Sequence, residues 1–138
     1  MARHNEIGRI GEDIATQWLK KSGFSIVDRN YNRKWGEIDI VARLPAQSGG
    51  TNGEIHFVEV KSVSYETRME LNLAVSRGTW RPEENVHKNK QDRLKRAIQT
   101  WLLEAHYAGK WQIDVVTIRM VPREKHAKVK MLENVVFE

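Results

Sequence analysis

Apolar and polar residues alternate with two different periods along the chain, and each period predicts a different kind of element. Over residues 5–21, apolar side chains recur at helical spacing and Ser22-Gly23 provides a stop, which predicts a first amphipathic helix. The same spacing returns over residues 87–107 and ends near Gly109, which predicts a second helix. Each helix has one apolar face, so both are expected to pack against a sheet.

Shorter stretches show the alternation that is typical of strands. They are residues 24–30, 36–41, 55–61, 111–120 and 132–137. Residues 62–86 are left open, because only residues 69–75 are apolar enough for a strand or a short helix. The order of elements is a helix, three strands, a helix and further strands, which predicts an α/β fold with helices flanking a central sheet.

Length and composition limit the class of protein. At 138 residues the chain is long enough for one core, and residues 1–138 are predicted to form a single domain. It contains no cysteine, which excludes disulfide frameworks and cysteine-based zinc sites. The opening residues lack an apolar signal-peptide stretch and no apolar run reaches membrane-spanning length. A soluble, cytoplasmic protein without a membrane partner is therefore expected.

Charged residues continue the apolar rows of two predicted strands. Because side chains alternate across a sheet, Glu37 and Asp39 are expected on the same face as Val41. On the next strand, Glu59 and Lys61 are likewise expected to share one face. Two carboxylates and a lysine can therefore meet if the strands are neighbours.

The register between these strands decides which charges meet. In an antiparallel hairpin, pairing Val41 with Phe57 places Asp39 opposite Glu59, whereas pairing Val41 with Ile55 places Asp39 opposite Phe57. Like charges directly opposite each other destabilise a sheet, so a positive group is expected between the carboxylates. A metal ion supplies that charge.

Oxygen ligands without thiolates point to Mg²⁺ or Mn²⁺. The predicted ligands are the carboxylates of Asp39 and Glu59 and the backbone carbonyl of Val60. Such an ion lowers the pKa of a bound water, and Lys61 would orient the nucleophile or stabilise the transition state, which implies phosphodiester hydrolysis. The alternative is an ordinary charged sheet edge, because most Glu-x-Lys triplets carry no function.

The two helices add further candidates. Glu12 lies at the edge of the first apolar stripe beside small residues such as Gly8, which would let the helix approach the sheet and bring Glu12 to the site; it is otherwise an exposed glutamate. Lys90 and Gln91 lie one turn before the apolar stripe of the second helix. They could contact substrate phosphate or the site, and the alternative is that they are ordinary surface residues.

The charge balance is 23 Lys plus Arg against 18 Asp plus Glu, a net charge of +5, and the excess is uneven. One basic stretch consists of Arg77, Arg81, Lys88, Lys90, Arg93, Lys95 and Arg96. It is either a solvated face or a phosphate-contacting surface. The nucleic-acid-binding candidates are Lys88, Lys90, Gln91 and Arg93.

Four motifs together are similar to a known family. They are Gly8-Arg9-Ile10-Gly11-Glu12, Arg29-Asn30-Tyr31, Gly36-Glu37-Ile38-Asp39 and Phe57-Val58-Glu59-Val60-Lys61. In this order and spacing they resemble the YraN-like proteins, a bacterial family related to archaeal Holliday-junction resolvases within the PD-(D/E)xK nuclease superfamily. The resemblance covers nearly the whole chain. It implies a restriction-endonuclease-like fold with a central mixed β-sheet and the core order α-β-β-β-α-β.

The resemblance also implies roles for matching residues. Asp39 and Glu59 would be the metal carboxylates, Lys61 the catalytic lysine, Glu12 the additional acidic residue on the first helix, Glu37 part of the catalytic signature and Lys90 the lysine that opens the later helix. Ile38 replaces the superfamily's nominal proline, as in its divergent members.

The predicted function is that of a Mg²⁺-dependent endonuclease-like protein acting on DNA, with branched or recombination intermediates as candidate substrates. Because junction resolvases act as symmetric pairs, such a substrate implies a homodimer. Two alternatives stay open. One is a nucleic-acid-binding module without catalysis, and the other is an RNA-directed nuclease of the same fold.

Overall fold

The structure, a computed structural model, describes residues 2–45, 53–78 and 88–136. The helices are α1 (Ala2–Lys21), α2 (Arg68–Arg77) and α3 (Lys88–Glu104). The strands are β1 (Ser25–Arg33), β2 (Gly36–Arg43), β3 (Ile55–Ser64), β4 (Trp111–Val121) and β5 (His126–Leu132), and a 3₁₀ turn at Pro122–Glu124 connects the last two. This confirms the predicted α/β class.

The five strands form one mixed sheet in the order β1-β2-β3-β4-β5. Three neighbouring pairs are antiparallel, and β3 with β4 is parallel. A parallel pair needs a crossover connection, and the chain between β3 and β4 contains α2 and α3. The predicted core order α-β-β-β-α-β is present with one additional helix and one additional strand, consistent with a restriction-endonuclease-like topology.

Each face of the sheet is covered by one of the long helices. On one face, α1 packs mainly on β3, and its Ala15 and Leu19 are fully buried against Val58. On the other face, α3 packs mainly on β2, and its Trp101 lies edge-on against Phe57. The apolar stripes recognised in the sequence therefore form two cores, and the central strands β2, β3 and β4 between them are largely buried on both sides.

The segment left open in the sequence contains α2. Thr67 begins this helix by accepting a hydrogen bond from the backbone N–H of Glu70 at 3.1 Å, and Gly78 ends it with φ 61°. Leu71 is its buried residue. The helix is specified by its caps more than by an apolar stripe, which explains why its pattern was ambiguous. Residues 79–87, with Arg81 of the basic stretch and the expected start of the second helix, lie outside the described residues.

The last predicted strand, residues 132–137, is wrong. The strand is β5, which begins at His126 and ends at Leu132, and Val136 beyond it is 80% exposed. Ala127 and Val129 pack against the α1 core, while Lys128 and Lys130 point to solvent. Lysines on an edge strand oppose pairing with another chain. Here they alternate with apolar residues, so residues 126–132 carry the period-two pattern of a strand, which the prediction overlooked. Residue 137 lies outside the described residues.

None of the helices in the described ranges combines the length and the apolar character that crossing a membrane requires.

Candidate functional site

The pairing of β2 with β3 brings the two acidic strands together. Val41 is opposite Phe57, which is the first of the two predicted registers. The paired positions run from Arg43 to Ile40 on β2 and stop there, so Asp39 does not continue the ladder. Instead, its Oδ2 accepts a hydrogen bond of 2.8 Å from the backbone N–H of Val60. A side-chain carboxylate thus takes the place that a strand carbonyl would have.

The alternation of side chains along β2 changes at the same point. Ile38 packs in the core beneath α3, whereas Ile40 packs in the core beneath α1, although residues two apart in a regular strand share a face. The prediction that Glu37, Asp39 and Val41 lie on one face is therefore wrong, because β2 leaves its ladder with β3 at Asp39. The side chain of Glu37 is exposed.

Along β3 the regular alternation holds and places Glu59 on the side of α3. Its side chain is only 3% exposed. The Lys90 Nζ of α3 lies 2.7 Å from Glu59 Oε1, and Lys61 Nζ lies 3.7 Å from the same oxygen. With Asp39 beside them, these residues form a carboxylate–lysine cluster of Asp39, Glu59, Lys61 and Lys90 at the point where β2 and β3 separate.

The electrostatics of Asp39 reflect this crowding. Burial raises the pKa of Asp39 to about 8, and the carboxylates of Glu59 and Glu12 act in the same direction. The N–H of Val60 and the ammonium group of Lys90 oppose the shift. A buried acid with neighbours of like charge takes up a proton readily unless a cation compensates it.

The two lysines differ in their electrostatics. Burial lowers the pKa of Lys61, and the positive charge of Lys90 beside it lowers the pKa further. Burial is the largest single influence on Lys90 and would lower its pKa, but the charge and hydrogen bond of Glu59, together with Lys61 and Asp39, outweigh it, so that the pKa of Lys90 is raised. Lys90 is thus the cation bound more firmly by the carboxylates, and Lys61 is the lysine that gives up its proton more easily.

Glu12 acts electrostatically on Asp39 and Glu59, and the helix that carries it, α1, lies close to β3. A Cβ at Gly11 would lie 1.8 Å from Ser62 Oγ, whereas a Cβ at Gly8 would contact nothing within 4 Å. The small residue that permits the close approach is therefore Gly11, and the role expected for Gly8 was misplaced by one turn. Burial raises the pKa of Glu12, Arg29 opposes this, and nearby carboxylates including Glu59 raise it further.

Two residues near Glu12 complete this side of the site. Glu37 is exposed, and its charge raises the pKa of Glu12. Glu37 therefore lies at the rim of the site rather than inside the cluster. Arg29 was not recognised as a functional candidate, although it donates to Asp13 at 3.0 Å and moderates the charge around Glu12. It belongs to the Arg29-Asn30-Tyr31 motif, but its place in β1, two residues after the exposed Val27, did not indicate a role at the site.

The candidate nucleic-acid-binding residues occupy the first two turns of α3. Lys90 contacts the carboxylates directly. Lys88 and Arg93 are exposed on the same helix, and Arg93 Nη1 donates to the backbone carbonyl of Lys34 at 3.4 Å. Gln91 is half-buried beside Lys90. The structure thus divides the four residues into one inside the cluster and three on the adjoining surface of the helix.

The carboxylates of the site supply part of what a hard divalent cation requires. Within the described ranges, no three His, Asp or Glu side chains stand together in an arrangement that holds a metal ion. Mg²⁺ usually binds one or two carboxylates and keeps several waters, and Asp39 and Glu59 supply two. In addition, Glu12 Oε1 is buried and has no hydrogen-bond partner among the described residues. Crowded carboxylates with an unsatisfied oxygen fit a hard cation.

Asp114 lies away from this cluster and has a structural role. It is fully buried, and its Oδ2 lies 2.5 Å from Nδ1 of His56, which sequence reasoning overlooked as its partner. Its Oδ1 accepts hydrogen bonds from Gln112 at 2.7 Å and from the backbone N–H of Asn134 at 2.9 Å. These contacts join β3, β4 and the segment after β5.

The raised pKa of Asp39 predicts a pH dependence of stability in the metal-free protein. Between the ordinary value of 3.8 and the folded value of about 8, the unfolded chain is ionised while the folded carboxyl keeps its proton. Unfolding then releases a proton, so this group's contribution to stability is complete below 3.8 and is lost as the pH rises towards 8. Asp39→Asn is expected to remove that loss.

Urea unfolding of both proteins in chelator at about pH 5 and about pH 8 measures this effect. The Asp39→Asn protein is expected to gain stability over the unsubstituted protein as the pH rises. An unchanged difference between the two proteins at both pH values would contradict the assignment of Asp39 as a buried, proton-binding group.

Comparison with known proteins places the chain in a family. A family model described as uncharacterised protein family UPF0102 matches residues 11–118, a range that contains the whole carboxylate–lysine cluster and Glu12. The chain belongs to the UPF0102 family. This confirms the resemblance to YraN-like proteins, which are the members of UPF0102.

Individual UPF0102 proteins match over most of their length. A UPF0102 protein of Alkaliphilus oremlandii is 35% identical over 134 residues, which cover 95% of this chain and 97% of the relative. One of Campylobacter fetus is 32% identical, covering 92% and 90%. One of Thermotoga neapolitana is 34% identical, covering 80% and 84%. These names give the family alone, so the activity has to be argued from the site.

Proposed function

We propose that this UPF0102 chain is a metal-dependent endonuclease-like protein that hydrolyses phosphodiester bonds in DNA, with branched or recombination intermediates as its substrates. One observation carries the proposal. Where β2 leaves its ladder with β3, Asp39 and Glu59 lie beside Lys61 and Lys90, with Lys90 Nζ 2.7 Å from Glu59. Crowded, mostly buried carboxylates weaken a fold unless a cation compensates them, and such an arrangement is typical of catalytic sites.

The residues of the cluster have separable tasks in this proposal. Asp39 and Glu59 would hold Mg²⁺ or Mn²⁺, with the carbonyl of Val60 as a further ligand. When bound, the ion would lower the pKa of a water and neutralise charge on a phosphoryl oxygen. Lys61, half-buried and with a lowered pKa, orients the attacking water and stabilises the charge that develops on the phosphate. Glu12 is the additional acid that faces the same charges.

The basic surface beside the site supports a polyanionic substrate. Lys88 and Arg93 are exposed on the first two turns of α3, next to Lys90. The chain as a whole has a net charge of +5. Contacts from such side chains go to the phosphate backbone, so binding is expected to depend little on sequence and strongly on salt. If the substrate is a junction, two copies of the chain would act as a symmetric pair.

A second candidate is a nucleic-acid-binding module without catalysis. The ion pair between Lys90 and Glu59 favours it, because this pair neutralises a buried carboxylate without any metal ion. In that case the basic surface of α3 would still bind nucleic acid. A cleavage experiment separates the two candidates.

The test is a panel of end-labelled branched DNA, flap DNA, duplex DNA, single-stranded DNA and RNA, each incubated with Mg²⁺, Mn²⁺ or chelator. We expect DNA to be cut with either metal and to stay intact in chelator. Binding without cutting under both metals would favour the non-catalytic module. Cutting of RNA alone would identify an RNA-directed nuclease. Sedimentation of the protein with and without branched DNA shows whether a dimer forms on the substrate.

A further inference from the structure

Two ammonium groups face one buried oxygen of the carboxylate–lysine cluster. Lys90 Nζ lies 2.7 Å from Glu59 Oε1, and Lys61 Nζ lies 3.7 Å from the same atom. The Glu59 side chain is 3% exposed, so solvent does little to separate these charges. The nearer contact has the length of a direct ion pair, and Lys90 is therefore the principal counter-charge of Glu59.

The two lysines are attached to the fold in different ways. Lys61 belongs to β3, where it is paired with Thr117 of β4, and its side chain is 17% exposed. Lys90 lies in the first turn of α3, and its side chain is 43% exposed. Rotation about side-chain bonds would carry the Lys90 ammonium group into solvent without moving the helix. Lys61 has no comparable route, because the sheet encloses more of its side chain.

Charge balance favours the departure of one lysine when a divalent cation enters. Asp39 and Glu59 together supply two negative charges when ionised, which a divalent cation alone neutralises. Both ammonium groups would then lie beside the ion with Glu12 as the further acid nearby, and in a site this buried the repulsion between the cations is strong. Lys90 is the group that can move away, because its side chain is 43% exposed, and Lys88 on the same helix is exposed as well.

We propose that Lys90 is a displaceable cation: in the metal-free protein it occupies the counter-charge position on Glu59, and on metal entry it swings outward to bind a phosphate of the DNA. This inference rests on the proposed function and adds a regulatory step to it. The site is kept neutral when no metal is bound, and metal binding creates part of the substrate-binding surface. Lys90 is thus a positioning residue that competes with the metal and then contacts the substrate.

The first test measures metal binding rather than activity. Mn²⁺ is titrated by calorimetry and by electron paramagnetic resonance into the unsubstituted protein and into Lys90→Gln, Lys90→Arg and Lys110→Gln. Removing the competing charge in Lys90→Gln is expected to tighten Mn²⁺ binding on the order of tenfold. Lys90→Arg keeps the charge and is expected to bind as the unsubstituted protein does.

Lys110→Gln is the matched control. Lys110 is an exposed lysine in the turn before β4, and its carbonyl accepts a hydrogen bond from the N–H of Ile55, four residues before Glu59 along β3. It changes the net charge by the same amount without touching the cluster, so its Mn²⁺ affinity is expected to stay unchanged.

The second test measures binding of branched DNA by fluorescence anisotropy at one salt concentration. Ca²⁺ replaces Mn²⁺ in one arm to limit cleavage, and chelator is present in the other. Lys90→Gln is expected to weaken DNA binding several-fold in Ca²⁺, where Lys90 is released, and to change it little in chelator, where Lys90 is held by Glu59. If Lys90→Gln lost the same amount of DNA affinity in Ca²⁺ and in chelator, the proposed movement would be overturned.

The outcomes also separate this inference from the proposed function. Equal or weaker Mn²⁺ binding by Lys90→Gln, with clear binding by the unsubstituted protein, would overturn the displacement while leaving the metal site in place. An absence of Mn²⁺ binding in the unsubstituted protein and in both Lys90 variants would overturn the displacement together with the metal-dependent chemistry. Tighter Mn²⁺ binding by Lys90→Gln, with unchanged Mn²⁺ binding by Lys90→Arg, supports the displacement of Lys90.

Discussion

Asp39→Asn is expected to abolish metal-dependent cleavage of DNA while leaving the protein folded. The substitution removes one of the two carboxylates that would hold the metal, and it retains an oxygen that can accept the 2.8 Å hydrogen bond from the N–H of Val60. Loss of a group that stabilises the reacting charges usually reduces kcat by about a hundredfold to a thousandfold, and loss of a metal ligand is expected to cost at least as much. Single-turnover cleavage of branched DNA with Mn²⁺ measures the effect.

Asp28→Asn is the matched control for this experiment. Asp28 is another half-buried strand aspartate, and its Oδ1 accepts a hydrogen bond of 2.9 Å from the backbone N–H of Arg29. The same chemical change at Asp28 is expected to leave cleavage close to that of the unsubstituted protein. If Asp39→Asn cut DNA at the unsubstituted rate, Asp39 would not be a metal ligand. If both variants lost activity equally, the loss would not be specific to the cluster.

The elements that could be predicted from the sequence are those with a strong local pattern. The helices α1 and α3 each span four or more turns and each carries an apolar stripe, so their faces and cores were recognisable. The register of Val41 with Phe57 was one of two options that kept the apolar rows together. Glu59 and Lys61 lie where regular alternation on β3 places them, because that strand is paired with β4 throughout its length.

The geometry around Asp39 could not be predicted, because it depends on a departure from regular structure. Alternation assumes that backbone pairing continues, whereas here the carboxylate of Asp39 replaces that pairing by binding the N–H of Val60. The contact between Lys90 and Glu59 joins residues 31 positions apart and depends on how α3 lies on the sheet. Sequence spacing placed Lys90 at the start of the helix but could not choose between phosphate, carboxylate and solvent as its partner.

The close approach of α3 to the sheet depends on a glycine whose role could not be recognised in the sequence. Gly36 belongs to the motif that contains Asp39, yet nothing in the motif distinguishes a turn requirement from a packing requirement. In the structure it is buried beneath α3, and a Cβ added to it would lie 1.9 Å from the backbone carbonyl oxygen of Arg93. The motif thus has two functions, since Asp39 supplies a carboxylate and Gly36 lets the helix that bears Lys90 approach the sheet.

Gly36→Ala is therefore expected to destabilise the protein and to disturb the site. A backbone carbonyl cannot move aside as a flexible side chain can, so α3 has to shift, and Ala97, whose Cβ would lie 3.2 Å away, hinders that shift. Overpacking of this kind costs about 1 to 3 kcal/mol, and contact with backbone favours the upper part of that range. Because Lys90 moves with the helix, Mn²⁺ affinity is expected to change as well.

Gly8→Ala separates this packing effect from the general effect of replacing glycine. Gly8 lies within α1, and its added Cβ would contact nothing within 4 Å, so the substitution is expected to be neutral or to stabilise the helix by about 0.5 to 1 kcal/mol. Urea unfolding of both variants at one pH in chelator measures the difference. If Gly36→Ala were as stable as Gly8→Ala, α3 would not depend on close contact at Gly36, and the motif would be retained for Asp39 alone. A large loss of stability in Gly36→Ala but not in Gly8→Ala, together with altered Mn²⁺ affinity, would show that the packing of α3 affects the geometry of the site.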